Sequence, residues 1–366
     1  MSTFNIEEYL NSLPEDTTVI DIAYKSLSYL PDLSRFTNLK SLNCSYNNLT
    51  SLPSLNEKLE TLRCNYNKLT KLPKLNENLK ELICYNNNLT SLPPLNENLN
   101  ELICCNNKLT LLPPLNDKLY KLICANNNLI SLPSLNDNLL FISCYNNKLT
   151  SLPSLNNKLE GLICDGNKLT SLPPLNNNLK HLTCGCNKLN SLPQLNNNLK
   201  HLSCECNNLT SLPQLNDNLI YLNCKCNKLT SLPPLNNNLE DLSCECNKLT
   251  SLPPLNINLK YLNCEFNKLT SLPPLNINLA VLIYDGNNFT NFIEYSSLIV
   301  KQRKELKNKL YKCKFNIMCL KYKNHFRKWL YEHVRLPKIQ EQYHPKHLVH
   351  YAEDESMNLE EFLETW

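Results

Sequence analysis

The chain has 366 residues, a net charge of +4, 22 prolines, 19 cysteines and only 4 glycines. So few glycines exclude a phosphate-cradling glycine loop. No basic and apolar leader, and no apolar run of roughly eighteen residues, marks a secreted or membrane-spanning chain, so the sequence reads as soluble and intracellular where it is made. Charge is unevenly placed: from Ile293 onward there are 14 Lys/Arg and 10 Asp/Glu, which leaves the first 292 residues neutral.

Taken in order, the first predicted element lies in Asn5 to Leu13. Ile6, Tyr9, Leu10 and Leu13 recur at helical spacing, and Asn5 with Glu8 matches a capping box, so a short helix is expected. Residues 1–16 are assigned as a helical cap over whatever follows. The next unit, near Thr17 to Thr37, is irregular, with Ile22 and Lys25 standing where later units carry Cys and Asn. Thirteen units then open at Leu39 and every twenty residues to Leu279, each written L-x-x-L-x-C-x-x-N-x-L-x-x-L-P-x-L-x-x-x. A fixed period of this length means a solenoid, in which each unit buries its apolar side only against its neighbours.

Numbering each unit from its first Leu, places 4 and 6 (Leu62 and Cys64, for example) fall on one side of a strand, inward, and places 3, 5 and 7 fall outward. Stacked strands give a parallel sheet with about 4.8 Å between units. The following L-T-S-L-P-P-L segments hold too many prolines for a helix or an inner strand, so that side is expected to be extended and polyproline-like. Asn-rich runs such as Asn176 to Asn178 are expected to supply turn conformations that glycine would otherwise provide.

The pattern resembles the leucine-rich repeat family, and within it the twenty-residue repeats of secreted effectors of bacterial pathogens and of giant DNA viruses. The resemblance covers residues 17–292, about 14 repeats. It implies an α/β solenoid with a parallel concave β-sheet, an extended convex side, a short N-terminal cap helix and a C-terminal helical tail. It also implies that the place-9 asparagines, from Asn47 to Asn287, turn inward and satisfy backbone groups exposed by the turn. Effectors with such repeats often continue into a large ubiquitin-ligase domain whose nucleophilic cysteine is followed one residue later by aspartate. Here Cys313 precedes Lys314-Phe315 and Cys319 precedes Leu320-Lys321, and a tail of about seventy residues is small for that domain. A non-enzymatic chain is therefore expected, with no cofactor.

Beyond Asn291 the period stops, and residues 293–366 read as a separate helical cap or tail. From Glu294 to about Arg335, Leu306, Leu310, Cys313, Ile317 and Leu320 line one helical face, while 13 Lys/Arg against Glu305 and Glu332 lie between Lys301 and Lys338. Packed on the last repeat, where Tyr284 replaces the core cysteine, this helix would close the solenoid. The same basic face would suit a membrane surface or nucleic acid, giving the alternative of an adaptor acting through the tail. No nucleic-acid reading motif accompanies it. Asn358 with Glu361 forms a second capping box before a last short helix. The string QYHPKHL before the acidic NLEEFLETW is similar to the endings of giant-virus proteins, which would place the chain in a host cytoplasm.

Twelve cysteines, from Cys44 to Cys264, recur at place 6. An inward cysteine behaves as a small hydrophobe, so this column reads as core, not as a disulfide framework or a metal site. A second column, Cys186, Cys206, Cys226 and Cys246, lies near the strand ends; thiols stacked in a line do not make the tetrahedron that zinc requires, and no metal is assigned. Partner contacts are expected on the outward places. In the middle repeats these carry Ile83, Tyr85, Ile103, Ile123, Phe141, Tyr145 and Ile163, an apolar and aromatic stripe expected to be exposed. Later repeats carry His181, His201, Glu205, Tyr221, Lys225, Asp241, Glu245, Tyr261 and Glu265. Strand preference alone would also put Ile and Tyr there. The reading is a scaffold that binds another protein on its concave face.

Overall fold

A computed structural model describes residues 4–289 of the chain. Helix α1 (Ile6–Ser12) begins where the Asn5 side chain accepts hydrogen bonds from the N–H groups of Glu7 and Glu8, at 3.1 and 3.3 Å. That cap satisfies two of the donors every helix start leaves open. Ile6 and Leu10 are buried. The first coil holds the helix through Arg35, which donates to the Leu10 carbonyl, and through the Tyr29 hydroxyl, 3.2 Å from the Glu7 carboxylate.

Among the described residues fourteen three-residue strands follow α1, from β1 (Val19–Asp21) and β2 (Ser41–Asn43) to β14 (Val281–Ile283). They form one parallel sheet in which sequence order and spatial order coincide. Register is fixed place for place: Leu42 lies beside Leu62, and Leu202 beside Leu222. Because side chains alternate across a strand, a slip by one residue would turn the whole Leu column outward. The period of twenty therefore sets register as well as topology. In a representative coil Leu159, Cys164 and Leu169 are wholly inaccessible and Leu162 nearly so, which places the dry core between the sheet and the returning segment.

That returning segment carries neither helix nor strand in any described coil. The helical share of the expected α/β class is thus α1 alone among the described residues, and the convex side is extended, as the prolines require.

Two asparagine columns carry the hydrogen bonding that the core cannot. Asn147, at place 9, accepts from the Leu129 N–H at 3.0 Å and donates from Nδ2 to the carbonyls of Cys124 and Cys144 at 3.1 and 3.0 Å. It therefore stitches its own coil to the one before, and the same bonds recur at Asn67, Asn87 and on to Asn267. At place 18, Asn176 donates to the carbonyls of Asn156 and Leu159 at 2.7 and 3.1 Å, and its Oδ1 accepts from the Asn178 N–H at 2.8 Å. Asn178 in turn donates to the Asn157 carbonyl at 2.6 Å. The Asn-x-Asn runs are thus turn formers and inter-coil clamps at once.

One expectation is corrected. The left-handed backbone position is not in the Asn176 to Asn178 run but at place 8. Tyr46, Asn86, Asn146, Gly166, Cys186, Cys246 and Phe266 all have φ between 52° and 63° there. Left-handed φ costs a residue with a Cβ roughly 1 kcal/mol. The solenoid sustains it in every coil because the flanking ladder and the place-9 asparagine hold the backbone on both sides. The helices read in residues 293–366 lie outside the described residues.

Replacing Asn147 by Ala leaves the buried Leu129 N–H without that partner, at about 1–3 kcal/mol, while the Cys124 and Cys144 carbonyls keep the Asn127 and Asn167 amides as donors. A lowered urea midpoint is expected, with a smaller loss for Asn287→Ala, whose side chain is only half-buried at the end of the described array. Equal midpoints for Asn147→Ala and the parent chain would show that the column does not hold the coils together.

Candidate partner-binding face

Every strand offers places 3, 5 and 7 to the concave side, and the sheet spacing sets how much of each side chain water can reach. Rows about 4.8 Å apart leave no solvent between two large side chains in the same column. Ile83, Tyr85 and Ile103 are buried, at 5%, 3% and 3% exposure, and pack with Cys105 and Ala125. Ile123, Tyr145 and Tyr66 flank that cluster and are partly covered. The expectation of an exposed apolar stripe is therefore corrected for Ile83, Tyr85 and Ile103: they bury one another laterally. Ile123, Phe141, Tyr145 and Ile163 stay half-exposed. Reading the neighbours twenty residues away, and not only along each strand, would have revealed this.

The polar margin of the same cluster is paired. Arg63 meets Glu81 at 3.1 Å and Lys121 meets Glu101 at 3.0 Å, while the Tyr120 hydroxyl donates to Glu101. Burial, with that carboxylate beside it, pushes the Tyr120 phenol above its ordinary value. Phe141 lies over Gly161, where a Cβ would meet the ring at 2.7 Å. A glycine in this column is what lets the ring lie flat across the next strand.

From there the face changes character. Asp165 accepts from the Thr183 hydroxyl and from the Gly185 N–H at 2.7 Å, and burial raises its carboxyl above the usual range despite those bonds. His181 and His201 stack with ring centroids 4.9 Å apart, and His201 stacks on Tyr221 at 5.5 Å. Glu205 takes Lys225 at 3.1 Å and a bond from Asn223. The phenol of Tyr261 is pushed up to about 12, first by burial and then by the charges of Asp241 and Glu245. All nine residues expected in these later repeats, from His181 to Glu265, are half-buried on one continuous wall.

A second aromatic column was not anticipated. Tyr24, Tyr46 and Tyr66 stack at 4.2 and 4.3 Å, and Tyr85 meets Tyr66 edge-on at 5.3 Å. Tyrosine at place 8 in successive units was the signal for it. Tyr24, at 41% exposure, is its accessible end.

The twelve place-6 cysteines are all buried and free. Desolvation pushes these thiols far toward the neutral form, Cys44 and Cys144 to about 12. Cys186 and Cys246 of the second column are exposed, and Cys206 and Cys226 are intermediate. Among the described residues no three or more His, Cys, Asp or Glu side chains converge on a common point that could hold a metal ion. No described helix is long and apolar enough to cross a membrane.

No protein-family profile matches the sequence, and no curated protein does so. Solved structures do. The leucine-rich effector YopM of Yersinia pestis is 30% identical, with a TM-score of 0.57 over 73% of this chain and 88% of its own. A leucine-rich-repeat protein of Leptospira interrogans is 29% identical, with a TM-score of 0.56 over 84% of this chain and 97% of its own. The functional domain of InlJ from Listeria monocytogenes, described as including a cysteine ladder, is 29% identical, with a TM-score of 0.66 over 76% of this chain and 65% of its own. The chain belongs to the leucine-rich repeat family, and its likeness is to bacterial proteins of that family. Proteins of this fold are typically interaction scaffolds.

Thiol labelling at pH 8 followed by peptide mapping checks the two cysteine columns. Cys186 and Cys246 are expected to label in the folded chain, and Cys64, Cys84 and Cys204 only after unfolding. Early labelling of the place-6 column would show that the core is wet.

Proposed function

We propose that the chain is a non-enzymatic scaffold that binds another protein on its concave face. The carrying observation is the wall of His181, His201, Tyr221 and Tyr261 with Phe141 before it: half-exposed aromatic rings, of which His181, His201 and Tyr221 stack in succession. Pre-ordered rings lose little rotamer freedom on docking, and aromatic side chains are over-represented among residues that dominate binding energy. The buried cluster around Ile83 and Ile103 stiffens the wall; its half-exposed edge at Ile123, Tyr145 and Ile163 extends the contact. Glu205, Lys225, Asp241, Glu245 and Glu265 supply a charged boundary that selects partners by complementarity.

The test uses the full chain with a photo-crosslinking residue at His201, at Ser171 on the convex segment, or at Lys314 in the tail. Protein crosslinks are expected from His201 and not from Ser171. A partner captured only from Lys314 would move the function to the basic tail, and one captured only from Ser171 to the convex side. With a partner in hand, Tyr221→Ala is expected to weaken binding about tenfold or more, or roughly 1.4 kcal/mol.

A further inference from the structure

Cys186, Cys206, Cys226 and Cys246 occupy place 8 of four successive coils, bounded by Gly166 on one side and Phe266 on the other. All four have left-handed backbone, with φ of 52°, 54°, 52° and 57°, so their Cα–Cβ bonds leave the strand ends in the same direction. The ladder continues through them: the N–H groups of Cys186, Cys206, Cys226 and Cys246 donate to the carbonyls of Glu205, Lys225, Glu245 and Glu265 at 2.8 to 2.9 Å. Those bonds hold the backbones that carry successive thiols at the strand spacing, about 4.8 Å. Within the row, burial raises the Cys206 thiol to about 12 with the neighbouring thiols Cys186 and Cys226 adding to it, and burial with Cys226 beside it raises Cys246. Unlike the place-6 column, the row reaches solvent.

The geometry decides which cation such a row could take. Four thiolates around zinc need metal–sulfur bonds of about 2.3 Å and sulfurs about 3.8 Å apart at the corners of a tetrahedron. Here the outermost two of the row are three coils, about 14 Å, apart. Two-coordinate linear binding makes a different demand: its sulfurs sit on opposite sides of the ion, roughly 4.3 Å apart, wider than the edge of the zinc tetrahedron. Adjacent coils, about 4.8 Å apart along the sheet, bring neighbouring thiols within reach of that separation. Soft, monovalent copper(I) favours thiolate ligands.

We propose that this exposed thiol row is a binding site for copper(I), one ion between Cys186 and Cys206 and a second between Cys226 and Cys246. For each ion, two S–H bonds break, two metal–sulfur bonds form and two protons pass to water; no electron is transferred. Pairs of ligands suffice, so the site needs no convergence of three side chains on one point.

The experiment is anaerobic titration of the reduced full chain with copper(I) against a chromophoric chelator. The comparison is the fourfold variant Cys186→Asn, Cys206→Asn, Cys226→Asn, Cys246→Asn. Asparagine already stands at this place with φ of 52° at Asn86, Asn106, Asn126 and Asn146, so the variant keeps the backbone. The parent chain is expected to bind about two more ions than the variant, with X-ray absorption giving two sulfur neighbours per ion at a distance shorter than the roughly 2.3 Å of a zinc–thiolate bond. Two double variants carry the geometric content. Cys186→Asn with Cys206→Asn leaves one adjacent pair and should retain one ion. Cys186→Asn with Cys226→Asn leaves thiols two coils apart and should retain none. Equal uptake by parent and fourfold variant overturns the proposal. So do equal uptake by the two double variants, three or four sulfur neighbours per ion, or stoichiometric zinc held by the same four cysteines.

Discussion

The place-9 asparagine is the interaction on which the rest depends. Each coil reverses direction after only three strand residues, which leaves backbone N–H and C=O groups facing a dry interior. Burying such groups unpaired costs more than the neighbouring leucines can offset. The Asn147 amide answers both needs at once, accepting from the previous coil and donating to carbonyls of both coils. With one such amide per coil, the leucine and cysteine columns can be apolar without exception, and adjacent coils cannot slip. The left-handed residue just before it is part of the same device, because it aims the amide inward.

Rigid stacking in turn governs the concave face. A column of side chains repeated at strand spacing is a continuous surface, and large neighbours shield one another. Ile83, Tyr85 and Ile103 are therefore structural although they point away from the core. Where rings follow rings, as at His181, His201 and Tyr221, the faces are covered and the edges remain available. The N-terminal half of the wall spends its apolar residues on stiffness, and the C-terminal half presents stacked rings and charges.

Place 8 shows how a fixed backbone can carry variable chemistry. Tyrosine, asparagine, glycine, cysteine and phenylalanine all occupy the same left-handed position. Because ladder and asparagine fix the main chain on either side, the side chain there contributes little to the fold and is free to differ. Tyrosines build a stacked column at one end of the array and thiols a row that reaches solvent further along.

The sequence by itself determined the solenoid, its period, the inward Leu and Cys columns and the capping helix, and the family resemblance added the inward asparagine. Each of these follows from what one residue type does at one place, repeated until chance is excluded. Only the tertiary structure decided which outward residues are accessible, where the backbone turns left-handed, and what the Asn-x-Asn runs bond to. Those depend on neighbours twenty residues away in the chain but one strand spacing away in space. The identity of Ile83 says that it favours a strand; that Ile103 and Tyr85 cover it is a property of the stack.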